Sequence, residues 1–294
     1  MTFICLLITE AAVKLVSIEA TKLCLAFAEP PVPKYEVYHP LIESIGKAML
    51  AMVTSFYSLP VSKGATLNRL VRKNISWIVD ATITLTEVIK ASDYQGSQQH
   101  LHSTGTVWEY CDQFPTLPKD NKAATLHIGN ETSQLVKDAL AEIQEALQNE
   151  DGGGDQSDVS FEDGDDPSWS EEEKQLVMPS VGLIKAANSC LKRVLGAVKK
   201  NGKCDCAKDA SQLDNLVERL NEVSPAVDEV VLCLYPPITK EAVRENTEKL
   251  GIILQNLLEC VKHIHISTED DASWLEFLLK AVTHNMDKTQ HVTS

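Results

Sequence analysis

The sequence predicts an all-α fold: two antiparallel helical bundles joined by an acidic, disordered linker. Three observations predict it. Apolar residues make up 44% of the 294 residues while aromatic residues make up only 5%, so any core is built from Leu, Ile, Val and Ala, which suits helix-on-helix packing. Prolines and capping signals cut the chain into segments of helical length that carry apolar residues at helical spacing. Between Glu150 and Glu173 the chain collects eleven carboxylates and no Lys or Arg, a composition that cannot bury enough apolar surface to fold. The predicted domains are therefore an N-terminal five-helix bundle over 1–148, an acidic linker over 149–168 and a C-terminal four-helix bundle over 169–294.

The first helix opens on "MTFICLL" and closes before Pro30, Pro31 and Pro33. Residues 8, 12, 15/16, 23 and 27 trace its expected buried face. The apolar run from Phe3 to Ile8 ends at Glu10, and no positive segment precedes it, so a core helix is expected rather than a secretory signal. No segment approaches the ~20 apolar residues of a membrane span, and a soluble protein is expected. The second helix starts near His39–Pro40 and stops at Pro60. The third covers about 65–91, where "DATITLTEV" alternates like a strand but a helical track through Ile75, Ile78, Leu85 and Ile89 favours helix. The fourth is "TGTVWEYCDQF", ending at Pro115, and the fifth runs from Pro118 to about Gln148 with a heptad-like seam at Ile128, Thr132, Leu135, Ala139, Ile143 and Ala146.

After the acidic run, "SWSEEE" offers two overlapping capping boxes, Ser168 with Glu171 and Ser170 with Glu173. Helix six then reaches about Lys200, with a seam at Ile184, Ala187, Leu191, Val194 and Val198. Helix seven covers about 209–235, bent by Pro225. Thr239 is placed to cap helix eight, whose seam of Val243, Thr247, Leu250, Leu254, Leu257, Val261 and Ile264 is the most regular in the chain. Ser273 and Glu276 suggest a further box for helix nine, which fades near Lys288. Such seams can zip to another protein, but more often they pack inside their own bundle.

Charge and motifs exclude several classes of function. Removing the eleven acidic charges from the net −15 leaves −4 for the rest of the chain. The densest basic stretches are "RLVRK" at 69–73 and "KKNGK" at 199–203, too sparse to neutralise phosphates or dock an acidic membrane. Eight scattered cysteines without a CxxC pair read as reduced thiols of the cytosol or nucleus. "CDC" at 204–206 together with Cys260, His263 and His265 is the nearest approach to a zinc set, but its spacing matches no finger. The acidic run is not a calcium loop either, because from Asp151 the third position is Gly153 and the sixth is Gln156. Nucleophile elbows, metalloprotease motifs and phosphate loops are absent from the sequence. No enzyme is expected, and no catalytic, cofactor-binding or metal-ligating residue is assigned. Ser160, Ser168 and Ser170 each have an acidic residue three positions on, the preference of acidophilic kinases, and are the candidate phosphorylation sites.

Four stretches read together carry a resemblance. "TLNRLVRKNISWIVDATITLTEVI" at 66–89, "VWEYCDQFPTLPKDNKAA" at 107–124, "WSEEEKQLVMPSVGLIKAANSCLKRV" at 169–194 and "QLDNLVERLNEVSPAVDEVVLCLYPP" at 212–237 resemble the cyclin-D-binding protein family, also called GCIP, HHM or Maid proteins. The likeness keeps its order from about Glu10 to Lys288. It departs at the start, where family members carry a polar extension and this chain opens on "MTFICLL". The resemblance implies a non-enzymatic, all-helical interaction protein in cytoplasm and nucleus. It would bind a D-type cyclin with its kinase, restrain that kinase and so oppose cell-cycle progression. It would also sequester helix–loop–helix transcription factors, in keeping with the missing basic region. Signalling adaptor proteins are a further expected partner class, and the charge balance argues against direct binding to nucleic acid or membrane. The alternative is a helical-bundle adaptor for cytoskeletal or signalling partners, since bundles accept amphipathic partner helices.

Overall fold

The structure is a computed structural model and describes residues 2–29, 31–91, 97–151 and 169–293. Nine α-helices and no strands occur among the described residues: α1 Thr2–Ala26, α2 Tyr35–Tyr57, α3 Ala65–Ala91, α4 Ser97–Gln113, α5 Asn121–Asp151, α6 Glu171–Asn201, α7 Ala207–Leu232, α8 Lys240–Lys262 and α9 Ala272–Thr293. The all-α expectation holds. Most of the acidic run, with Ser160 and Ser168, lies outside the described residues.

The chain divides into two compact units. The first comprises 1–124 with 204–211, and the second 125–203 with 212–294. The division falls inside α5, whereas the sequence reading assigns all of α5 to the first five helices because an acidic segment follows it. Composition reports where a chain is hydrated. It does not report which face of the preceding helix is buried.

In the first unit α1 neighbours α2 and α4, α3 neighbours α4, and α2 meets α3, so the four helices close a ring. Cys5 Sγ at the start of α1 lies 3.5 Å from the Ser58 carbonyl just past the end of α2, which makes that pair antiparallel. Asn74 Nδ2 of α3 donates to the Tyr110 carbonyl of α4 at 3.1 Å. The core is mainly aliphatic, with Val13, Val16, Ala20, Leu67, Ile78 and Leu85 fully buried or nearly so beside Met52 and Phe114.

The strand-like stretch of α3 is helical. Its threonines return their hydroxyls to the preceding turn, Thr82 to the Ile78 carbonyl at 2.7 Å and Thr84 to that of Asp80 at 3.0 Å, which satisfies the hydroxyls within a helix. Two helices begin earlier than predicted. α2 starts at Tyr35 and carries Pro40 inside it, because Tyr35 packs on Tyr38 and His39, and Tyr38 on Phe27. Those ring contacts hold the first turn despite the hydrogen bond Pro40 cannot make. α4 starts at Ser97, with His100, Ser103 and Thr104 buried.

In the second unit α6 packs on α8 and α9, and α8 on α9. Gly129 brings α5 against Leu195 of α6 and Leu220 of α7. Helix α7 is tied to α8 by Asn246 Nδ2 donating to the Glu229 carbonyl at 3.3 Å. The seams of α6 and α8 are buried as internal packing, complete from Ile184 to Val198 and from Val243 to Val261. Ile264 falls just beyond the last turn of α8 and is half-buried.

The caps depart from expectation in two places. Thr239 occupies the N-cap position of α8, yet its side chain makes no capping bond. Ahead of α9 the box is Thr268 with Asp271, flanking a short 3₁₀ turn, and Ser273 lies inside the helix. Asp271 accepts the Thr268 N–H and hydroxyl and the Trp274 indole N–H at 2.7 to 2.9 Å. That third donor favours the earlier box. Helix α7 runs through Pro225.

Candidate interaction surface

The first helix sets up a surface that the periodicity reading misplaced. Its buried face runs through Leu6, Thr9, Val13, Val16, Ala20 and Leu23, while Ile8 and Leu15, expected inside, lie at 55% and 42% exposure. They belong to a second stripe, Ile4, Ile8, Leu15, Ile18 and Leu25, all exposed. With Ala11 and Lys22 filling the gaps, the spacing is 4-3-4-3-4-3, a heptad seam whose large apolar residues stay exposed among the described residues. Helix α1 is apolar nearly all round, and a helix of that kind is ordinarily buried on every side.

The stripe continues onto α2. Ile8 lines a shallow groove with Lys47, Leu50, Ala51, Thr54, Ser55 and Ser58, and Leu50 is exposed at its edge. Small residues at 51, 54, 55 and 58 keep the floor low, so a ridge of side chains from another helix has space to enter. Lys47 lines the groove and pairs with Glu43 at 3.1 Å, and elsewhere on α1 Lys14 pairs with Glu10 at 2.8 Å. Each pair holds its carboxylate below the usual range, chiefly through the lysine hydrogen bond. The arrangement offers an apolar trough with a polar margin, the pattern of helix-in-groove recognition.

The other residues singled out in the sequence have structural positions. Ser170 caps α6: its Oγ accepts the Glu173 N–H at 3.2 Å and donates to Glu173 Oε2 at 2.8 Å. His265 does not join a metal set. Its Nδ1 meets Gln212 Oε1 at 2.7 Å and its Nε2 accepts the Lys203 N–H at 2.9 Å, so both ring nitrogens are engaged. Cys206 Sγ accepts the Asp209 N–H at 3.4 Å, and His263 pairs with Glu259 at 2.7 Å. Groups of three or more His, Cys, Asp or Glu able to hold a metal do not occur among the described residues. Burial pushes the thiols of Cys111 and Cys190 up to about 12, which removes them as nucleophiles at neutral pH. No helix among the described residues is long and apolar enough to cross a membrane.

The seam of α5 is also displaced. Leu135 is 55% exposed, and the buried stripe is Thr132, Val136, Leu140 and Ile143 with Gly129 and Ser133. Glycine carries no hydropathy signal, yet Gly129 marks the side of close approach to α6 and α7.

Comparison with known proteins decides the family. The N-terminal model of the Grap2 and cyclin-D-interacting family matches residues 9–149, and its C-terminal model matches residues 147–259. This chain belongs to the Grap2 and cyclin-D-interacting family. The two matches meet at the start of the acidic run, and the first covers α1 from residue 9 onward with three of its five exposed stripe residues, Leu15, Ile18 and Leu25. Among relatives, the Cyclin-D1-binding protein 1 homolog of Xenopus laevis is 43% identical over 289 residues, 96% of this chain and 87% of the relative. The homolog of Danio rerio is 40% identical over 96% of this chain and 84% of its own. Cyclin-D1-binding protein 1 of Homo sapiens is 34% identical over 97% and 83%. Family membership thus extends over both compact units.

Proposed function

We propose that this chain is a non-catalytic binding protein that engages a D-type cyclin with its kinase, restrains that kinase and so opposes cell-cycle progression, acting in cytoplasm and nucleus. The observation that carries the reading is membership, across both family models, of a family whose relatives bear the name Cyclin-D1-binding protein 1. The α1–α2 face supports it as the contact, and its occupant is an amphipathic helix of the cyclin. Five apolar side chains on a 25-residue helix give a seam of roughly 30 Å at 1.5 Å per residue, long enough for a whole partner helix.

A second partner class fits the same seam. Heptad spacing without a flanking basic segment suits pairing with a helix–loop–helix transcription factor in a complex lacking the charge to grip DNA. Signalling adaptors are a third class, and the family description itself names Grap2.

The test is a kinase assay with purified components. Full-length chain is titrated into a D-type cyclin–kinase pair phosphorylating retinoblastoma protein. Phosphorylation falling to a floor at equimolar chain is expected. Undiminished activity with the chain demonstrably bound would overturn the restraint, and failure to bind would overturn the cyclin reading.

A further inference from the structure

Glu173 stands between two parts of the second unit. Its Oε2 accepts the Ser170 N–H at 2.9 Å and the Ser170 hydroxyl at 2.8 Å, closing the capping box of α6. Its Oε1 accepts the N–H of Ile238 at 3.3 Å, in the turn between α7 and α8. Beside it the Trp169 indole N–H donates to the Leu234 carbonyl at 2.6 Å, and the Trp169 ring packs on Tyr235 with centroids 5.8 Å apart. The start of α6 is therefore fastened to residues 234–238 by one carboxylate and one indole. Ser170 itself is exposed, and Glu171, Glu172 and Glu173 follow it directly.

We propose that Ser170 is a phosphorylation site for an acidophilic kinase, and that its phosphate releases Glu173 from Ile238 and so loosens the 234–238 turn from the start of α6. In the transfer, Ser170 Oγ forms a bond to the γ-phosphorus of ATP. The bond from that phosphorus to the β–γ bridging oxygen breaks, ADP departs, and the hydroxyl proton passes to the kinase's catalytic carboxylate. The product has lost the donor that held Glu173 Oε2. It sets close to two negative charges on an oxygen that stood 2.8 Å from Glu173 Oε2. Lys174, the nearest cation in sequence, already pairs with Glu171 at 3.5 Å.

Two effects oppose each other at this site, and they act on different atoms. The free N–H groups and dipole of the α6 N-terminus welcome a phosphate, so the first turn of α6 stays capped, with phosphate oxygens in place of the serine hydroxyl. Repulsion turns the Glu173 side chain outward, and the Ile238 N–H loses its acceptor. The modification thereby leaves the helix intact while freeing the turn.

The experiment treats the full chain with casein kinase 2 and Mg-ATP as the acidophilic probe. Sites are mapped by tandem mass spectrometry, and amide hydrogen exchange is compared before and after. A chain carrying Ser160→Ala and Ser168→Ala isolates Ser170, and Ser170→Ala serves as the control. Expected are phosphate on Ser170, exchange at Ile238 roughly tenfold faster, unchanged protection in the first turns of α6, and no change at Ile238 in the Ser170→Ala chain. Absence of phosphate at Ser170 in the folded chain overturns the site. Phosphate there with Ile238 exchange unchanged, or with α6 itself deprotected, overturns the release.

Discussion

Asn121 occupies the space that a side chain on Gly64 would need. An added Cβ on Gly64 would overlap the Asn121 carboxamide, and Gly64 sits at φ 133°, a conformation that L side chains rarely adopt. The carboxamide is held in place by the Leu67 N–H, which donates to Oδ1 at 3.1 Å, and by the Ala210 carbonyl, which accepts from Nδ2 at 3.1 Å. One buried residue thus joins the start of α3 to the 204–211 segment of the first unit. Gly64→Ala is expected to destabilise that unit by about 2–4 kcal/mol, from backbone strain together with displacement of the carboxamide. Asn121→Ala, which leaves the Leu67 N–H in the first turn of α3 without its acceptor, is expected to cost about 1–3 kcal/mol. Urea unfolding of the two variants and the double variant checks both, with costs less than additive because the sites touch.

Trp169 anchors the start of α6 through its indole N–H as well as its ring. Trp169→Phe keeps most of the apolar contact and removes the donor to the Leu234 carbonyl. A loss of about 1–2 kcal/mol is expected, with faster amide exchange confined to the first turns of α6 and residues 234–238. A change spread over the whole second unit would contradict the local anchor.

The chain's legibility varied with the polarity of each helix's far side. Helix α8 was read correctly because Glu245, Glu248 and Lys249 stand opposite Leu250 and Leu254, leaving one plausible face. Helix α1 has apolar residues on both faces, so spacing alone could not choose between Leu6–Val13–Val16–Ala20 and Ile8–Leu15–Ile18. The choice is made by α2 and α4, which periodicity does not see. In α5 the buried stripe of Val136, Leu140 and Ile143 continues through Gly129 and Ser133, small residues that a search for large apolar side chains passes over. The capping box of α6 was legible because Ser170 and Glu173 act locally. That Glu173 also accepts from Ile238, 65 residues on, is a product of the tertiary fold.

Glu173 gives α6 a defined response to acid. The Ser170 N–H, then its hydroxyl, then the Ile238 N–H hold the Glu173 carboxyl below its ordinary value of 4.5. A carboxyl with a lowered folded pKa contributes stability that is whole above the unfolded value and lost as pH falls through the folded one. Protection of Ile238 and Ser170 amides is expected to persist at pH 6 and to fall below about pH 4.5. Glu173→Gln is expected to show weaker protection at pH 6 and no such step. Exchange measured across this range checks the sign.

The cysteines sort by burial into reactive and silent groups. Cys206 is exposed and is expected to be alkylated within minutes at pH 7.5. Cys111 and Cys190, whose thiols burial pushes up to about 12, are expected to react only after unfolding. Mass-spectrometric counting of labelled sites in native and urea-unfolded protein tests this. Native labelling of Cys190 as fast as Cys206 would contradict the packing around α6.

The most direct test of the account is calorimetric titration of a purified D-type cyclin–kinase pair with the full-length chain and with a chain carrying Ile8→Glu and Ile18→Glu. Both positions are more than half exposed, so the variant is expected to keep the helicity and thermal midpoint of the parent. Saturable binding by the parent, weakened roughly 10- to 100-fold in the variant, is the predicted result, and it should survive both raised salt and deletion of residues 150–167. Equal affinity for parent and variant, or binding that vanishes with the acidic segment, would contradict the assignment of the contact to the α1–α2 face.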